Sequence, residues 1–98
     1  MMNSEKTPTL GEIRSAIDDI DRQLVALIAE RQKRVLAAGT LKNDEDGVRA
    51  PARVEQVIEK VRALAYSMEA SPVVVEQTYR AMIDAFISLE LAHHRSTT

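Results

Sequence analysis

Cysteine is absent from this 98-residue chain, which excludes disulfides, a thiolate nucleophile and Cys-ligated zinc while leaving the redox compartment open. Aromatic residues number three and glycines three, too few for the strands and frequent turns of a sandwich or barrel. No run approaches the roughly eighteen consecutive apolar residues of a membrane span. The opening MMNSEKTPT has no apolar segment of the kind a secretory leader needs, so a soluble, cytoplasmic protein is expected. A dominant charge is lacking too: thirteen basic residues against fifteen acidic ones leave a formal charge of −2. Such a balance provides no general field for nucleic acid or an anionic membrane, and any anion binding must come from local clustering.

What is present is helical material. Apolar residues make up 45% of the chain, and Ala, Leu, Val, Glu and Arg are abundant. An all-α fold in one domain is therefore expected, spanning residues 9–95 behind a polar tail over 1–8.

The first element is marked by Thr9 and Glu12, which fit a capping box. Beyond it Leu10, Ile13, Ile17, Ile20, Leu24, Leu27, Val35 and Ala38 recur at spacings of three and four, one face of a helix continuing to about Lys42. At 1.5 Å per residue such a helix is a rod of roughly 50 Å, with Gly39 as a weak point costing near 1 kcal/mol. Asn43-Asp44-Glu45-Asp46-Gly47 reads as an acidic loop. A second helix then starts at Pro51 and runs to about Met68, and a third begins at Ser71-Pro72 and ends near His94.

A compact chain of this size has a diameter in the region of 35 Å, shorter than the rod. The long helix must overhang its own domain with an apolar face showing. An entwined homodimer is the expected remedy.

Two residues break the pattern of the first helix. Arg31 projects from the middle of its apolar stripe, and Lys42, eleven residues on, falls within about 20° of it. The same face carries no acid for these cations, so an anionic ligand is the expected partner. Arg14, Arg49 and Arg53 lie along the same helix, the following loop and the start of the second helix, while Glu90 stands at the edge of the third helix's stripe. Arginine's planar fork suits carboxylates and lysine supplies a compact donor, so the set fits a small dicarboxylate. Arg14 lies about 26 Å along the axis from Arg31, and only a second subunit could bring another Arg14 close. The plainer alternative pairs Arg14 with Asp18, Arg31 or Arg34 with Glu30, and leaves Glu90 as an exposed acid.

His93-His94 is expected to be a solvated helix end: adjacent helical residues diverge by about 100°, and no further histidine completes a metal site. No serine stands in a nucleophile pattern, and the glycines form no phosphate-cradling loop.

Taken jointly, LGEIRSAIDDIDRQLVALIAERQKRV, the lysine of GTLKNDE, the arginine of APARVEQV and the acid of ISLELAHH resemble the all-helical AroQ-class chorismate mutases. The resemblance extends from Leu10 to about His94 and implies an entwined dimer of three-helix chains with active sites shared between chains. It assigns Arg31, Arg53 and Arg14 of the partner chain to substrate carboxylates, and places Lys42 and Glu90 at the ether oxygen of the breaking C–O bond. The implied reaction, chorismate to prephenate, is an intramolecular pericyclic step that requires no metal, nucleophile or redox cofactor. Glu90 could donate to the ether oxygen only when protonated, so activity is expected to decline with rising pH. Bacterial members more often carry Gln there.

Two positions depart from the mutase pattern. Ala50 and Val54 occupy places where many members carry acids that contact the substrate's C4 hydroxyl, and APARV also looks like the related isochorismate-pyruvate lyases. Those lyases share the fold and the cationic pocket.

Overall fold

The computed structural model describes residues 7–96, and most of these are helical. Three long helices, α1 (Leu10–Gly39), α3 (Pro51–Ser67) and α4 (Pro72–Ser96), are joined by short connections, the first of which contains a five-residue helix α2 (Glu45–Arg49). The all-α expectation holds, with no strand among the described residues. Most of the expected tail, residues 1–6, lies outside them.

The capping box at the start of α1 is formed on both sides. The Thr9 N–H donates to Glu12 Oε1 at 2.9 Å, and the Glu12 N–H donates to Thr9 Oγ1 at 3.1 Å. These bonds stabilise the charged carboxylate and hold Glu12 below the usual carboxylate range. At its other end α1 stops at Gly39, three residues earlier than the apolar pattern suggests. Tight i to i+3 bonds close it: Leu41 N–H reaches the Ala38 carbonyl at 3.0 Å, Lys42 N–H reaches that of Gly39 at 3.2 Å, and Thr40 Oγ1 donates to Ala37 O at 2.7 Å.

The segment read as a loop is partly helical instead. Asp44 caps α2 by accepting from the Gly47 N–H at 2.9 Å, and Val48 is buried. Ala50 then takes a left-handed conformation (φ 35°, ψ 63°) that ends α2 and allows Pro51 to open α3. At the next junction Glu69 is left-handed and Ala70 N–H reaches back to Ala65 O at 2.8 Å, before Ser71 Oγ accepts from Val74 N–H and Pro72 opens α4.

The chain divides into two compact units, one up to Lys33 and one from Arg34 onward. In the second, α3 and α4 bury Ile58, Val61, Ala65, Ile83, Phe86 and Leu91 against one another, and Val48 of α2 joins this core. A polar clasp spans the outside of the same helix pair: Arg80 donates to both Glu55 oxygens (2.9 and 3.0 Å) and to Glu76 (2.8 Å), and Glu76 also accepts from Arg62.

Among its described residues the first unit contains most of α1, and α1 has no buried residue. Its stripe residues Leu10, Ile13, Ile17, Ile20, Leu24 and Leu27 are 46–62% exposed. Arg31 itself is half-buried.

Candidate active site

Where α1 ends, its last residues meet α4. Lys42 Nζ donates to Glu90 Oε2 at 3.0 Å, with the Glu90 side chain only 5% exposed and that of Lys42 27% exposed. Glu90 is the one charged residue among the buried side chains of the described chain, so a buried carboxylate here is matched by a cation. The reading that leaves Glu90 as an exposed acid is therefore overturned. So is the reading that leaves Lys42 without a protein partner, since the acid missing from α1's own face comes from another helix.

Gly39 makes this meeting possible. A Cβ built on it would lie 2.7 Å from Glu90 Oε2, closer than real Cβ atoms come. The glycine read as a weak point of the first helix is thus the place where the carboxylate rests against the helix backbone. A glycine three residues before a lysine is a visible sequence feature, but nothing local says which distant side chain needs the space.

Beside Glu90 a cavity of about 310 Å³ opens, lined by Leu36, Gly39, Thr40, Glu90, His93 and His94. Its size is at the lower end for small-molecule sites. His93 and His94, expected to be a solvated helix end, contribute to its wall, with His94 half-buried. Among the described residues no group of three or more His, Cys, Asp or Glu could hold a metal ion.

The remaining cations are distributed differently. Arg49 is exposed in α2 and Arg53 is exposed in the first turn of α3. Arg14 is exposed on α1, and Arg31 stands half-buried farther along the same helix. Of the expected set, the structure thus brings Lys42 and Glu90 together.

A lysine held on a buried acid keeps donors to spare. An ammonium has three N–H groups, and one bond to Glu90 leaves two for a ligand oxygen. Fixed in place, it is suited to an oxygen on which negative charge develops during bond cleavage.

Comparison with known proteins fits this geometry. Over 97 residues the chain is 29% identical to the isochorismate pyruvate lyase of Pseudomonas aeruginosa, covering 99% of this chain and 96% of that protein. Residues 13–91, which include Arg14, Arg31, Lys42, Arg53 and Glu90, match the family described as chorismate mutase type II. With most of its length accounted for by that match, the chain belongs to the chorismate mutase type II family.

Proposed function

We propose that this chain catalyses the pericyclic cleavage of an enolpyruvyl ether of the chorismate class, with chorismate to prephenate as the primary reaction. The observation that carries this reading is the Lys42–Glu90 pair at 3.0 Å beside a cavity, in a chain of this family. In the rearrangement the ether C–O bond breaks as a new C–C bond forms within the same molecule, so atoms balance without a co-reactant. Two things are required of the protein. Carboxylate clamps restrict the flexible side arm to a compact reactive shape, and a fixed cation meets the charge that develops on the ether oxygen.

In this proposal Lys42 donates to the ether oxygen. Glu90 holds the ammonium in place. Arg31, Arg53 and Arg49 bind substrate, the first two at its carboxylates, and Arg14 comes from a second copy of the chain. That last role requires a homodimer. The exposed apolar face of α1 supports one, since the six exposed aliphatic residues of its stripe favour a partner that removes them from water.

Isochorismate cleavage to salicylate and pyruvate is a second reading. There the ether C–O bond also breaks, while a ring hydrogen passes to the methylene carbon of the leaving arm. Two observations favour it: the full-length similarity to a lyase, and the absence of acids at Ala50 and Val54. Parallel assays decide between the readings. Purified enzyme incubated with chorismate should yield prephenate, recovered as phenylpyruvate after acid treatment. Salicylate from isochorismate, with chorismate untouched, would replace the first reading by the second. Failure to consume either substrate would overturn both.

A further inference from the structure

Glu90 Oε2 meets two neighbours at once. It accepts from Lys42 Nζ at 3.0 Å, and it occupies the space where a side chain at position 39 would begin, 2.7 Å from an ideal Cβ. The Cδ and Cγ atoms of Glu90 follow at 3.5 and 3.6 Å from the same point. Gly39 is also bonded to the lysine through the backbone, since its carbonyl accepts from the Lys42 N–H at 3.2 Å. One residue therefore sets the backbone of the cation and leaves room for the anion that holds its side chain.

Conformational need does not account for this glycine. Neither it nor any other glycine of the described chain has a positive φ, and Gly39 is the last residue of an α-helix, a structure in which alanine is the better former. The space is what distinguishes it. Gly11, also in α1, would place a Cβ 3.9 Å from its nearest neighbour, Thr9 Oγ1, in open surroundings.

We infer that Gly39 is a positioning residue for the reaction: its missing side chain lets the Glu90 carboxylate reach Lys42 and hold the ammonium at the ether oxygen. The inference rests on the proposed function for its kinetic consequence and on geometry alone for its structural one. A methyl group at position 39 meets first the far end of a flexible side chain. The carboxylate then swings aside and the fold remains.

The test is Gly39→Ala, with Gly11→Ala as the control for alanine's helix preference. Gly39→Ala should keep its helical circular dichroism, which separates displacement of the carboxylate from loss of the fold. A crystal structure should show the Lys42 Nζ–Glu90 Oε2 separation opened beyond hydrogen-bond reach. Its kcat should fall on the order of 10²-fold with KM near wild type, the size expected when a reacting group is misplaced by about 1 Å. Gly11→Ala should keep the wild-type rate. In a Glu90→Ala background the carboxylate is gone, and adding Gly39→Ala should cost no further activity. An undisturbed ion pair in Gly39→Ala, a wild-type kcat, or an equal loss from Gly39→Ala with and without Glu90 would overturn the inference. If the wild type turns over neither chorismate nor isochorismate, the proposed function fails, while the crystallographic comparison still decides whether position 39 controls the pair.

Discussion

Lys42 and Glu90, 48 positions apart in sequence, are joined by a 3.0 Å hydrogen bond that ties the end of α1 to α4. The acid is nearly enclosed and the lysine partly so, which makes the contact sensitive to which partner is removed. Taking away one member of a buried pair leaves the other charge uncompensated, at a typical cost of about 3–5 kcal/mol for full burial and less where, as for Lys42, water still reaches the group.

From this contact follows a contrast at position 90. Glu90→Gln retains the length of the side chain, an oxygen to accept from Lys42 and an amide that can donate to a ligand. It should keep kcat within about tenfold of wild type. Glu90→Ala removes the support from the ammonium and should lose on the order of 10²-fold, the scale of a misplaced catalytic group. Steady-state kinetics on the two variants, with helical content checked by circular dichroism, reads the difference.

Acid should loosen the α3–α4 pair through the clasp around Arg80. Hydrogen bonds from Arg80 hold Glu55 below its ordinary value of 4.5, and bonds from Arg80 and then Arg62 do the same for Glu76. Both carboxyls bind protons more readily in the unfolded chain. Their contribution is thus complete above pH 4.5 and is lost as pH falls through the lower folded values. Thermal melts should show the wild-type midpoint dropping across that acid range, with Arg80→Ala already lower at neutral pH and less responsive to acid. Coincident curves for the two proteins would show that the clasp adds nothing to stability.

The apolar face of α1 predicts self-association. Ile17 and Leu24 are about half exposed in the single chain, at 49% and 50%. Light scattering at micromolar concentration should give the mass of a dimer for the wild type. Ile17→Glu with Leu24→Glu places two charges where a second copy would seat, and should shift the mass to that of the monomer and abolish turnover, since Arg14 would lose its site. A wild-type monomer with full activity would remove the shared-site proposal.

Periodicity was sufficient to locate the three long helices because their signals are local: the Thr9–Glu12 box, the proline after Ala50 and the Ser71-Pro72 start each act within one turn of chain. Helix ends were less visible. The apolar spacing ran on to Lys42 although the bonds at Thr40 and Leu41 end α1 at Gly39, and α2 was hidden because its five residues are too few to show a period. At the site, Lys42 and Glu90 could be singled out as charged residues on or beside apolar stripes. Their bond could not, because it joins residues 48 positions apart, and the need for Gly39 is visible only once α4 is beside it. The stripe of α1 is legible as an apolar face left showing on the single chain, since periodicity marks a face, but it does not say what covers it.

The most direct measurement is the rate of chorismate loss, followed by its absorbance with wild type and Lys42→Ala side by side. Isochorismate runs in parallel, and the products are identified. The predicted result is turnover by the wild type and a fall on the order of 10²- to 10³-fold in kcat for Lys42→Ala, as for loss of one donor to a developing oxyanion. Equal rates for the two proteins, or no wild-type turnover of either substrate, would contradict the account.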